Sequence, residues 1–274
     1  MYGFLLYSVA DREAIVYAME RQQLIEQLID TEGRVAVVDL ADRFGVTTET
    51  VRRDLGLLEQ RGVLQRVHGG AVVVVRTSTV EPSLAERSER RSGAKEAIAR
   101  RALEALRAGG TGSVYLDAGT TTAAIARLLA DRPAERPLEV VTHAMTIGHL
   151  LAGAASVNLT AIGGRVRGLT AAAVGAQTVA AVEHLRPDIA FLGANGVSAG
   201  FGVSTPDPDE AAVKRAIVAS ARRVILVADA DKLGAELLVS FAGLHEIDVL
   251  VTDAEPSAAL GAALQEAGTE VWIA

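Results

Sequence analysis

Cysteine is missing from all 274 residues, which excludes disulfides, zinc fingers, iron–sulfur clusters and cysteine nucleophiles. A chain with no need of disulfides fits a reducing interior, and a cytoplasmic protein is expected. Also missing is any uninterrupted apolar run of about 18 residues, so no membrane span and no membrane partner are expected. Positive charge is in deficit: 27 Lys and Arg stand against 34 Asp and Glu, a net charge of −7. That deficit argues only weakly against a nucleic-acid partner, because a whole-chain average hides a local basic patch. What is present is core material. With 50% hydrophobic and 22% charged residues the chain is not disordered throughout, and its length predicts about two domains at roughly 150 residues each.

Four zones follow along the chain. Met1 to Ala10 is apolar but has no basic residue before it and no cleavage site, a poor signal peptide. Met19 begins a clean helical pattern, so residues 1–18 read as an N-terminal extension, either a mis-assigned start or an extra helix on the first domain. Residues 19–75 are short helices ending in an apolar β-like stretch, and residues 76–93, RTSTVEPSLAERSERRSG, are polar, charged and without periodicity, a linker. Residues 94–274 alternate strand-length apolar runs with helical patterns. The candidate strands are Ser113–Asp117, Leu138–Thr142, Val157–Ile162, Asp188–Leu192, Arg223–Ala228, Ile247–Thr252 and Thr269–Ile273, with helices such as Lys95–Arg107, Ala123–Leu129, Gln177–His184 and Glu210–Ala221 between them. Continuously apolar strands alternating with helices predict an α/β domain with a mainly parallel sheet covered on both faces.

In the first domain Leu24, Ile25, Leu28 and Ile29 form one helical stripe, and Leu40, Ala41 and Phe44 a second. Gly45 ends the second helix, and Thr47 or Thr48 caps a third. There Val51, Leu55 and Leu58 point inward, leaving Glu49, Thr50, Arg52 and Arg53 on or beside the outer face near its N-terminus. Two helices joined by a tight glycine turn, with arginines opening the second, describe a helix-turn-helix. Docked by its N-terminal end, such a helix presents these side chains to base edges in the major groove. Local charge agrees: Arg43 to Arg76 holds six arginines (43, 52, 53, 61, 66, 76) against Glu49, Asp54 and Glu59. After a break at Gly62, VLQRVHGGAVVVV predicts two short strands about a His68-Gly69-Gly70 turn. That is the wing of a winged helix, bringing Arg66 and His68 near phosphates; the plain alternative is a three-helix domain with a solvated arginine face.

The run LADRFGVTTETVRRDLGLLEQRGVLQRVHGGAV resembles the N-terminal signature of the DeoR family of bacterial transcriptional regulators, above all in TVRRDL (Thr50–Leu55) and RVHGGA (Arg66–Ala71). Thr47 stands where the family more usually has serine, and keeps the capping hydroxyl. The resemblance implies that Thr48, Thr50, Arg52 and Arg53 face DNA, that His68 is a phosphate contact or turn residue, and that Asp54 is structural. It extends over about residues 19–274, and implies an effector domain similar in fold to ribose-5-phosphate isomerase and the coenzyme A transferases.

The residues of that domain also speak for themselves. Asp117-Ala118-Gly119-Thr120-Thr121-Thr122 follows a strand and opens a helix, where glycine, hydroxyls and free amides suit an anion, naturally a phosphate. The alternative is an ordinary strand–helix turn with capping threonines. Other strand ends carry Thr142-His143, Gly163-Gly164-Arg165 and Asp231-Lys232, with Arg165 and Lys232 as candidate cations. The family usually has asparagine at His143. Glu210 and Lys214, four apart on one helix, make either a surface ion pair of about 0.3–0.5 kcal/mol or, by the resemblance, the mouth of the sugar pocket. Asp207 and Asp209 read as loop residues and Trp272 as core.

Ribose-5-phosphate isomerases carry Asp-Gly-Ala-Asp-Glu at one strand end, and the similar stretch here is Leu192-Gly193-Ala194-Asn195-Gly196. Acid–base chemistry needs a titratable group, which asparagine is not, so Asn195 is kept for a sugar hydroxyl and no catalytic residue is expected. Glu210 as a lone base leaves an isomerase-like enzyme with an appended DNA-binding domain as the alternative; an α/β domain that serves only assembly is another. The expectation is a repressor of a carbohydrate-catabolism operon that binds double-stranded operator DNA and is modulated by a phosphorylated sugar, with no cofactor and no metal. As a flexible coil the linker spans on the order of 25 Å, so setting two heads on half-sites about 34 Å apart requires a homodimer or homotetramer.

Overall fold

The computed structural model describes residues 18–60, 63–73, 78–106, 112–133 and 136–274. The extension up to residue 17, the break at Gly62 and the linker's residues 76 and 77 lie outside the described residues. The chain divides into two compact units, Met1–Arg76 and Thr77–Ala274. Among the described residues no helix is long and apolar enough to cross a membrane.

The first unit runs α1 (Ala18–Glu32), β1 (Arg34–Ala36), α2 (Val37–Phe44), α3 (Thr48–Gln60), β2 (Leu64–Val67) and β3 (Gly70–Val73). Ile25 and Ile29 of α1, Leu40 and Ala41 of α2, and Val51, Leu55 and Leu58 of α3 meet in one core. Gly45 closes α2 at φ 62°, its N–H reaching back to the carbonyls of Ala41 and Asp42, and Thr47 caps α3 by accepting the Thr50 N–H at 3.2 Å. β2 and β3 form the hairpin about His68 and Gly69. A third strand, β1, immediately before α2, pairs with β3. Only glycine fits at position 70, because a Cβ there would stand 2.1 Å from the Val35 carbonyl oxygen.

The second unit opens with α4 (Leu84–Glu89) and α5 (Ser92–Leu103). It continues through β4 (Ser113–Leu116), α6 (Thr120–Ala130), β5 (Leu138–Thr142), α7 (Met145–Leu151), β6 (Val157–Ala161), β7 (Arg165–Arg167), β8 (Ala172–Val174), α8 (Ala176–Glu183) and β9 (Ile189–Gly193). The remainder is β10 (Gly196–Ser198), β11 (Gly202–Thr205), α9 (Pro208–Ser220), β12 (Val224–Val227), β13 (Val239–Ala242), β14 (Val249–Thr252), α10 (Ala258–Ala267) and β15 (Glu270–Ile273). The seven strands expected from sequence build one parallel sheet in the order β15-β14-β12-β9-β4-β5-β6. Alternate side chains serve opposite faces: Tyr115, Leu192 and Leu226 pack with α8 to α10, while Leu116, Phe191 and Val227 pack with α5 to α7. Strand order reverses between β4 and β9, and at such a switch point the C-terminal strand ends leave a crevice. The short antiparallel pieces, β7–β8 and β10–β11–β13, have no periodicity long enough to be read in sequence.

One expectation is corrected. Residues 78–93 are not free coil: Ser83 and Glu86 form a reciprocal capping box that starts α4. Lys95, 6% exposed, donates to the Arg87 carbonyl at 2.9 Å and also to that of Arg90, tying α4 to α5. Arg91 sits at φ 52° and reaches Asp231 and Asp253. Glu81, Glu86, Arg87 and Arg91 of this segment all have partners, so a coil estimate of its span does not apply to the described part.

In the first unit Arg21 donates through Nε to Asp54 at 2.6 Å, with side chains 8% and 5% exposed, and Gln22 donates to the other carboxylate oxygen. Asp54→Ala removes a buried carboxylate to which Arg21 and Gln22 both donate, a change that costs about 3 kcal/mol. Urea unfolding of the full chain will show an earlier transition for the first unit; a loss under about 1 kcal/mol would mean that the pair is not structural.

Candidate nucleic-acid and anion sites

The outer face of α3 carries Thr48 and Thr50, both half-buried, and Arg52 and Arg53, both exposed. Thr50 shares a hydrogen bond of 2.9 Å with the Thr47 hydroxyl, and Arg52 lies 3.4 Å from Glu49, an exposed pair that contributes little. Arg66 and His68 stand exposed on the wing, where the Arg66 N–H is accepted by Glu59 at 2.8 Å. The six residues therefore divide into four on the helix and two on the hairpin. Asp54 points the other way, into the core.

At the switch point the second unit buries charge. Asp117, just after β4, is fully buried; one oxygen accepts the Gly193 N–H at 2.9 Å and the Lys214 ammonium. Lys214, 4% exposed, also donates to the Gly193 carbonyl at 2.9 Å. The other Asp117 oxygen has no hydrogen-bond partner and lies 3.7 Å from His143 Nε2. Burial pushes the His143 pKa down to about 4, Asp117 opposing and Lys214 assisting, so the ring is neutral. Burial, then Asp117, holds the Tyr115 pKa well above the ordinary range. Its hydroxyl therefore donates to His143 Nδ1 at 3.0 Å, and the Nε2 proton faces the carboxylate.

One helical turn before Lys214, Glu210 is 6% exposed and accepts from Thr170 and, at 3.2 Å, from Arg167. Burial first, and then Glu81, raise its pKa against Lys214, Thr170 and Arg167. The surface-pair alternative for Glu210 and Lys214 is thus overturned: both are buried, and each bonds elsewhere. Arg167 also donates to Asp207 at 2.9 Å and to Glu81 at 2.7 Å. Burial works against its charge, but Glu81, Glu210 and Asp207 outweigh that and raise its pKa. Asn195 accepts from Thr205 at 3.1 Å and donates to Glu81 at 3.3 Å.

Asp117 and Lys214 thus form one buried cluster, and Glu210 and Asn195 belong to a second, joined through Arg167 and Glu81. Others serve the frame. Thr142 donates to the Leu116 carbonyl at 2.7 Å and accepts the Ala144 N–H, splicing β4 to β5, and Thr122 donates to the Gly119 carbonyl at 3.1 Å, whereas no threonine caps α6, whose N-cap is Gly119. Thr120 and Thr121 open α6 after Gly119. Gly163 and Gly164 are exposed, the Gly163 carbonyl accepting from Thr178 at 3.1 Å. Arg165 is 65% exposed and pairs with Asp209 rather than with either cluster. Lys232 lies half-buried in a short turn of helix after β12. Asp207 is no plain loop residue, since it caps α9 by accepting the Glu210 N–H at 3.0 Å. Sequence reasoning missed Arg167, Glu81, Thr170 and Tyr115. Of these only Arg167, two residues from Arg165 on the same strand, carried a usable signal, the period of two.

Comparison with known proteins adds identity to geometry. Residues 21–77 match the DeoR-like helix-turn-helix domain and residues 90–254 the DeoR C terminal sensor domain. The HTH-type transcriptional regulator GlpR of Haloferax volcanii is 37% identical over 255 residues, 93% of this chain and 96% of its own. The glycerol-3-phosphate regulon repressor of Shigella flexneri is 30% identical over 237 residues, 86% of this chain and 91% of its own. Among solved structures, the ribose 5-phosphate isomerase A of Methanocaldococcus jannaschii matches at 16% identity and TM-score 0.36, covering 51% of this chain and 53% of that one.

The buried histidine sets a pH dependence. Unfolded, it binds a proton near pH 6.5; folded, only near 4, so stability falls as pH drops through that window, by about 3 kcal/mol in full. His143→Asn will lose less stability than the wild type between pH 7 and 4.5 in paired urea titrations, since Glu210 titrates in both. Equal losses would show that His143 is not the group responsible.

Proposed function

The chain belongs to the DeoR family of transcriptional regulators, and we propose that it is a repressor of a carbohydrate-catabolism operon whose DNA affinity is set by a phosphorylated sugar or polyol. It is a DNA-binding regulator, as its relatives are named, and not an enzyme. The first unit docks α3 in the major groove. Thr48, Thr50, Arg52 and Arg53 meet base edges, while Arg66 and His68 of the wing take phosphates. Arginine suits the role because its planar fork bonds guanine O6 and N7 together. Two heads on a two-fold operator require an oligomer, a dimer or tetramer, and the setting is the cytoplasm.

The effector binds at the switch point. The observation that carries this half is the charge buried there, the Asp117–Lys214 pair with one Asp117 oxygen short of a hydrogen bond, beside the half-buried Asn195 amide. Two sources of positive potential serve a phosphoryl group: the free amides opening α6 beside Thr120 and Thr121, and the Arg167 guanidinium. The family relative named for the glycerol-3-phosphate regulon supports a small phosphorylated polyol as the ligand class. Such a ligand weakens DNA binding by preferring the low-affinity conformation.

Fluorescence anisotropy on the DNA upstream of the chain's own gene, at fixed salt, tests the whole. Tight binding released by one member of a sugar-phosphate panel is the expected result, and binding indifferent to every member would remove the effector half. Arg53→Ala will weaken the cognate complex by about 1–3 kcal/mol while sparing random DNA. An equal loss on both would demote Arg53 to a phosphate contact.

A further inference from the structure

The segment joining the two units brings an anion of its own to the switch point. Glu81 follows closely on Arg76, the last residue of the first unit, and its carboxylate is buried, the side chain 1% exposed, while neighbouring Val80 is 65% exposed. A carboxylate leaves water only for strong partners. Arg167 donates to it at 2.7 Å, Asn195 at 3.3 Å, and Arg87 lies 2.9 Å away. These come from three separated pieces of chain: β7, the turn after β9, and α4. Together they make an anion cradle.

That cradle holds more donors than its occupant uses. Arg87 Nε and Nη2 are buried with no hydrogen-bond partner. A carboxylate offers two oxygens, and a terminal phosphoryl group three, with the greater charge. Arg167 is meanwhile fixed by Asp207 and Glu210, so its position does not depend on Glu81. Those two carboxylates also face the cradle and oppose a second anion. Glu81 and a phosphoryl group therefore cannot share it.

Given the effector reading above, on which this depends, we propose that Arg87, Arg167 and Asn195 are the phosphoryl seat of the effector site and that Glu81 is its resident occupant. A phosphorylated effector displaces the Glu81 carboxylate and frees the stretch of connector ahead of α4, while Lys95 keeps α4, and with it Arg87, in place. The site thereby reports its occupancy mechanically, through the residue that it expels.

Inorganic phosphate is the probe, titrated calorimetrically into the full chain without DNA. Glu81→Gln keeps the shape and removes the charge, and will bind phosphate about tenfold more tightly than the wild type, a gain of about 1.4 kcal/mol. Adding Arg87→Gln will abolish that gain. Amide hydrogen exchange at residues 78–81, ahead of α4, will be faster in Glu81→Gln than in the wild type. Glu81→Asp, which keeps the charge on a shorter arm, will fall between the two in phosphate affinity. Equal affinity in wild type and Glu81→Gln overturns the proposal, and so does a gain that survives the loss of Arg87. Neither result depends on DNA release, so a sugar-phosphate panel that leaves the operator bound counts against the effector reading alone.

Discussion

The buried pair between Lys214 and Asp117 organises the second unit. Two charges taken from water cost several kcal/mol each, and their attraction offsets this only when geometry is good and the remaining lone pairs are met. Here the Gly193 amide and carbonyl serve Asp117 Oδ2 and the Lys214 ammonium, while Asp117 Oδ1 stays without a hydrogen bond. The pair joins β4, β9 and α9 across the one place where the sheet changes direction. With Lys214 fixed, the helical repeat sets Glu210 one turn earlier on the same side, and Asp207 at the helix cap. Those two carboxylates in turn hold Arg167, and Arg167 holds Glu81.

Charge in the first unit is divided rather than gathered. In Thr50-Val-Arg-Arg-Asp-Leu55, two arginines face solvent and the adjacent aspartate is buried against Arg21. One short motif thus holds both an exposed basic face and the buried bond that ties α3 to α1. The glycine at 70 does the same for the wing, because β1 can approach β3 only where no side chain intervenes.

The seven parallel strands were legible because each is a continuous apolar run, the consequence of burial on both faces. The helix-turn-helix was legible because its helical stripes and glycine turn are local. The switch-point residues on those strands and on α9, Asp117, Asn195, Glu210 and Lys214, could be named from their positions at strand ends and on a helix. Their partners could not. Glu81 meets Arg167 across 86 positions and Asn195 across 114, through a charged segment and short antiparallel strands with no period to detect. The Thr142 and Thr122 hydroxyls, placed at strand and helix ends in the sequence, both donate to backbone carbonyls, that of Leu116 on the neighbouring strand β4 and that of Gly119 in the same turn.

The connector's anchors at Ser78, Glu81, Arg91 and Lys95 all belong to the second unit, their partners being Leu238, Arg167, Asp231 with Asp253, and neighbouring carbonyls. A recombination event at the Arg76–Thr77 boundary would cut none of these contacts. Descendants could then exchange the head that chooses the operator while inheriting the sensing apparatus whole. The fold is in that sense built for shuffling, with its seam in front of the latch rather than through it.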